Sequence, residues 1–145
     1  MTIYSLGVSK AAPATVTGIA MIRPATATPC YVQEIGVFNS TGVASSIGLV
    51  RSATTGTPST SALVQAGVPG LTGQTNIDTA WSAAATVAAN YIRKIVLPAT
   101  IGAGVIWTFG LRDLLVQNGA TTQLMLWNFS GSTDAALELY VVVDE

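Results

Sequence analysis

Apolar residues along this chain come in strand-sized runs separated by Gly, Pro, Asn, Ser and Thr, the spacing of β-strands joined by turns. The last run is the clearest. Leu137, Leu139, Val141 and Val143 fall on one face, and Glu138, Tyr140 and Val142 on the other, the period-two alternation of a half-buried strand. Earlier runs are Ile3 to Val8, Thr17 to Arg23 (closed by Pro24) and Cys30 to Phe38 (ended by Asn39-Ser40-Thr41-Gly42). Ser46 to Arg51, Tyr91 to Leu97 (stopped by Pro98), Val105 to Phe109, Leu114 to Gln117 and Thr121 to Phe129 follow. Asn118-Gly119 separates the last two of these, and both residues accept positive φ, so the pair predicts a tight hairpin. Eight or nine strands and no long helix result.

These elements predict an all-β chain: an antiparallel two-sheet β-sandwich, jelly-roll-like. An immunoglobulin-like sandwich is the alternative, but its Cys…Trp…Cys spacing is missing. The 145 residues fit one β-sandwich domain over 1–145, with residues 1–12 read as an extended N-terminal arm. The stretch 52–89 stands apart. It is rich in Thr, Ser, Ala and Gly, and Asp78 is its only charge. It reads as a long surface loop with a helical turn at Ser59 to Gln65, a turn at Val68-Pro69-Gly70 and a short strand at Ala80-Trp81-Ser82.

Composition changes the picture. Half the residues are hydrophobic, the mean hydropathy is +0.53, and six basic and seven acidic side chains leave a net charge of −1. A soluble domain ordinarily carries about a quarter charged residues, so the apolar surface must meet a membrane or other subunits. No run approaches the roughly 18 apolar residues of a membrane-spanning helix. Met1-Thr2-Ile3-Tyr4 lacks the basic start of a signal peptide, and three Trp and four Tyr are few for the two girdles of a transmembrane barrel. Burial between subunits remains, in a homo-oligomer with no membrane partner. Without a basic patch, direct nucleic-acid binding is not expected. The single cysteine, Cys30, cannot form an internal disulfide and reads as a buried thiol.

The same composition excludes most active sites. With no histidine, the commonest general base and metal ligand is missing, and Cys30 has no partner to activate it. No catalytic residue, cofactor site or metal site is read from the chain. Gly102-Ala103-Gly104 lacks the third glycine of a phosphate loop and reads as a turn entering a strand. Glu34, inside a strand, is expected to pair with Arg51 or Arg93. Arg112-Asp113 lies between strands and reads as a loop ion pair or an intersubunit contact. Trp81, Trp107 and Trp127 are expected to pack in the core. Asn39-Ser40-Thr41 and Asn128-Phe129-Ser130 match the glycosylation tripeptide at the frequency chance allows in a Ser/Thr-rich chain.

Several stretches carry a resemblance. Glu34-Ile-Gly-Val-Phe-Asn, Ile47-Gly-Leu-Val-Arg-Ser, the run from Tyr91 to Phe109, Leu124-Met-Leu-Trp-Asn-Phe and the closing Leu137-Glu-Leu-Tyr-Val-Val-Val-Asp-Glu look like those of small β-sandwich proteins of tailed-bacteriophage structural modules. More broadly the chain resembles capsid decoration (cement) proteins of jelly-roll type. The resemblance implies a non-enzymatic virion protein, made in the host cytoplasm and seated on the capsid exterior as a trimer. It would stabilise the head by binding across junctions of the major capsid protein. It also implies grip by a terminal segment or a loop, so Ile3, Tyr4, Leu6, Leu71, Trp81, Arg112 and Asp113 are the candidate contact residues. Other virion modules (a head-fibre base or a tail component) and a carbohydrate-binding β-sandwich are the alternatives.

Overall fold

The computed structural model describes residues 2–14, 17–66 and 70–145. Eleven strands run β1 (Ile3–Lys10), β2 (Gly18–Arg23), β3 (Cys30–Asn39), β4 (Ser45–Thr54), β5 (Thr57–Ala66), β6 (Thr72–Ala83), β7 (Thr86–Leu97), β8 (Gly104–Thr108), β9 (Leu115–Val116), β10 (Leu124–Asn128) and β11 (Leu137–Asp144). No helix occurs among the described residues. All pairings are antiparallel and join one curled sheet, a half-barrel, in the order β7-β4-β10-β2-β6-β5-β1-β11-β3-β8, with β9 on β3.

The registers give that order a simple origin. β1 pairs with β11, β2 with β10, β3 with β8 and β9, β4 with β7, and β5 with β6. Through all of these, the partner steps back along the chain as the residue steps forward. The chain is thus one long antiparallel ribbon with its tip between β5 and β6. Four further pairings roll the ribbon up: β11 with β3, β10 with β4, β2 with β6 and β1 with β5.

Rolling encloses the main core. Ile35, Val37, Ile47, Leu49, Leu124, Leu126, Leu139 and Val141 are all inaccessible or nearly so, and each lies on the inward face of its strand. A second cluster forms on the outer face of β2, β10 and β4. The two-residue link Ala84-Ala85 joins β6 to β7, which stand four places apart in the sheet. Their ends therefore arch over the intervening strands and lay Trp81 and Val87 on Met21, Val50, Met125 and Trp127. Gly56 sits at the inner bend of this arch with φ +66, where a Cβ would strike the Ala83 carbonyl and the Ala85 amide. Glycine is required there on both counts.

Several expectations need correction. The stretch 52–89 is no loop but the ends of β4 and β7 with all of β5 and β6. Its inward positions are taken by Val64, Gly73, Thr75 and Ile77, too small or polar on average to show as apolar alternation. The helical turn at Ser59 to Gln65 is strand β5, and the short strand at Ala80-Trp81-Ser82 lies inside β6. Val68 and Pro69 of the expected turn lie outside the described residues. The arm over 1–12 is, for residues 3–10, strand β1, paired along its length with β11. The Asn118-Gly119 hairpin does not form, because β9 pairs with β3 while β10 pairs with β2 and β4. The ribbon crosses there from one half of the roll to the other, and Arg51 holds the crossing by donating to the Thr122 and Leu115 carbonyls.

Cys30 begins β3 with no accessible surface. Burial pushes its thiol up to about 11, so almost no thiolate exists at neutral pH. A disulfide-exchange reagent at pH 8 should leave the native thiol untouched and modify it promptly in guanidinium. Prompt reaction of the native protein would contradict this packing.

Candidate functional site on the free edges of the sheet

β7 and β8 end the strand order, so each keeps one edge without a strand partner among the described residues. The link 98–103 joins these two terminal strands directly. The gap is closed by side chains instead of a ladder. Ile92, Ile95, Val105, Trp107 and Phe109 pack onto the main core from its two margins. Arg93 of β7 places its guanidinium over the Phe109 ring, 5.9 Å from the centroid.

Outside the gap, large apolar side chains stand exposed beside Arg93 and Lys94. Among the described residues nine large hydrophobic side chains are exposed, and five of them fall between Tyr91 and Leu111. Val96 on β7 is 68% exposed, Ile101 in the link 70%, Ile106 on β8 52% and Leu111 just beyond it 74%. Tyr91, on the outer face of β7, meets Phe129 edge to face at 6.2 Å, and Lys94 lies over that same Phe129 ring. Scattered apolar residues are ordinary on a surface, but their concentration on two unpaired strands and the link between them makes this a candidate interaction site.

A buried asparagine holds the link in place. Asn39 ends β3, is 2% exposed, and donates from Nδ2 to the carbonyls of Val43 (3.1 Å) and Pro98 (2.9 Å). Its Oδ1 accepts from Ser45 Oγ at 3.0 Å, and its backbone pairs with Ala103 and Gly102. Asn128 does the same at the end of β10, donating to Ala14 and Ser132 and accepting from the Ser130 amide. The two tripeptides that match a glycosylation signal are therefore strand ends whose amides are internal clamps. Asn39→Ala leaves the buried Ser45 hydroxyl and two part-buried carbonyls without their partner and should cost about 1–2 kcal/mol. Guanidinium denaturation measures this, and an unchanged midpoint would contradict the clamp.

The residues singled out from sequence land in different places. Tyr4 and Leu6 turn inward and pack on the core, while Ile3 is exposed at 62%. Leu71 is exposed near the ribbon tip, and Tyr4 reaches the same end through contact with Gly73. Trp81 lies at the far end of β1 beside Lys10, its ring against Gly18. Arg112 and Asp113 form no ion pair among the described residues; Arg112, at φ 65, lies over Tyr31 at 5.5 Å. Glu34 pairs with neither Arg51 nor Arg93, and accepts instead from the Tyr140 hydroxyl. Trp107 and Trp81 are half-buried, and Trp127 is buried.

The apolar edge was missed residue by residue. Val96 and Ile106 read as ordinary strand positions, and only the roll makes their strands terminal. Among the described residues no group of His, Cys, Asp and Glu converges to hold a metal ion, and no helix is long and apolar enough to cross a membrane. Comparison with known proteins finds no matching family model, no matching curated protein and no matching solved structure.

Proposed function

We propose that this chain is a non-enzymatic shell protein, a capsid decoration (cement) protein of a tailed bacteriophage. It acts as a homo-oligomer, a trimer in our reading, seated across junctions of the major capsid protein on the particle exterior. One observation carries the proposal: a chain this poor in charge gathers exposed Tyr91, Val96, Ile101, Ile106 and Leu111 on its two free strands and their link. Exposed Arg93 and Lys94 share β7 with Tyr91 and Val96, and interfaces likewise join an apolar and aromatic centre to a polar rim. The resemblance of the β3, β7, β8 and β11 segments to phage β-sandwich proteins points in the same direction.

We also infer that the rolled ribbon is of jelly-roll type. Supporting this, β1-β11-β3-β8 and β2-β10-β4-β7 are the two four-strand arrays that a rolled ribbon produces, with β5 and β6 bridging their ends.

Mechanically, a subunit seated across a junction adds contact area that exists only in the closed lattice. Repetition over many copies multiplies a modest contact into a strong restraint. The test is co-sedimentation with empty capsids assembled from the major capsid protein of the same phage. Saturable binding at a fixed ratio is expected, and absence of the chain from the capsid pellet would reject the reading.

A further inference from the structure

The outer face of β1, β11, β3 and β8 carries a second feature, which borders the free edge of β8. Tyr140 stands opposite Gly36, and its ring covers that glycine so closely that a Cβ there would overlap it. Phe38 stands opposite Gly104 and covers it in the same way. Each ring thus leans one strand toward β8 and lies down on the sheet. Their planes differ by 20° and their centroids are 6.3 Å apart. Two rings that each rest on a glycine form a flat, half-exposed shelf.

The shelf has a carboxylate at each end. Glu34 lies one row beyond Tyr140, and Glu138 stands directly opposite Phe38. The two rows are four residues apart, a span of about 14 Å along the strands. Each carboxylate has one oxygen engaged within the fold. Glu34 Oε1 accepts from Tyr140 and Glu138 Oε2 accepts from Ser9. The other oxygen of each has no partner among the described residues. The strand positions of this face hold neither Lys nor Arg, so a phosphate-bearing ligand would meet repulsion.

We propose that this shelf binds a neutral glycan, with the C–H face of a pyranose lying on the Tyr140 and Phe38 rings and its rim hydroxyls donating to Glu34 and Glu138. A flat apolar face edged with hydroxyl donors is the chemical complement of a flat ring pair edged with acceptors. The shelf borders the proposed self-association edge, because Ile106 stands opposite Gly36 in the same row as Tyr140, but its test reads glycan binding and not assembly. On a particle it would hold a polysaccharide coat.

The probes are soluble dextran, hydroxyethylcellulose, xylan and mannan in native affinity gels, together with a glycan microarray. At least one should retard or capture the wild-type protein. Phe38→Leu and Tyr140→Leu keep apolar bulk but remove the ring face, and each should weaken binding by about tenfold or more. Tyr140→Phe keeps the ring and should lose less. Thermal melts of the leucine variants establish that they are folded. The proposal is overturned if neither array nor gel gives binding. It is equally overturned if folded Phe38→Leu and Tyr140→Leu bind like wild type.

Discussion

Replacing Val96 and Ile106 together by glutamate is expected to abolish self-association while leaving the subunit folded. Both side chains are more than half exposed in the isolated subunit, and such surface changes ordinarily alter folding stability by about 0.5 kcal/mol or less. In an assembly the same positions would be desolvated. Two carboxylates without partners would then cost several kcal/mol, enough to weaken association by at least about a hundredfold. Analytical ultracentrifugation should show the double variant as a single subunit at concentrations where the parent is assembled, with matching circular dichroism and melting temperature. An assembled double variant would move the interface elsewhere on the surface. A variant that no longer melts cooperatively would mean these residues serve the fold.

The second large effect belongs to folding. Asp78→Ala should lower stability by about 3 kcal/mol. Asp78 is the sole charge of the 52–89 stretch and has no accessible surface. Arg23 of β2 reaches it in a two-pronged contact, Nε to Oδ2 at 2.7 Å and Nη2 to Oδ1 at 2.9 Å, and Ser61 of β5 donates to it as well. One carboxylate therefore fastens both strands of the ribbon tip to the sheet. The hydrogen bond raises the Arg23 guanidinium above its already high ordinary value, so it stays charged at every pH at which the protein folds. Removing Asp78 leaves that charge and a hydroxyl without their acceptor. For a chain of this size the loss corresponds to a drop of about 10 °C in melting temperature. Arg23→Met with Asp78→Leu should recover most of it, since a well-packed apolar pair can replace a buried ion pair. A single variant that melts like the parent would show that the ribbon tip is held by its ladder alone.

How much of this was legible before folding depends on what filled the inward positions. In β11, Leu137 to Val143 announce both the strand and its buried face, because large apolar residues alternate with Glu138 and Tyr140. In β6 the inward places go to Gly73, Thr75 and Ile77, and a strand built that way reads as a loop. The rolled order was out of reach for a related reason. Arg23 and Asp78, or Tyr140 and Gly36, are far apart in sequence and meet only after the ribbon has rolled. The Asn118-Gly119 signal failed in the opposite direction. Its local chemistry suits a hairpin, but β9 and β10 belong to different halves of the roll, and global pairing overrode the turn preference.

The candidate site followed the same logic. Low charge and high hydropathy announced that apolar surface would be left over, without saying where. Ile3 proved exposed, but Tyr4 and Leu6 are needed inside. Ile101 and Leu111 stood in what read as turns, and their exposure gains meaning only beside Val96 and Ile106 on the two terminal strands. The shelf of Tyr140 and Phe38 was hidden because glycines opposite aromatic residues become visible only once strands are in register.

The most direct test of the central claim is the mass of the purified protein in solution, by light scattering across the micromolar range. The account predicts an assembly whose mass is a whole multiple of the 14.8 kDa subunit, three subunits in our reading. A particle of 14.8 kDa at every concentration would contradict it, because the apolar edges from Tyr91 to Leu111 would then be stable in water with nothing to cover them.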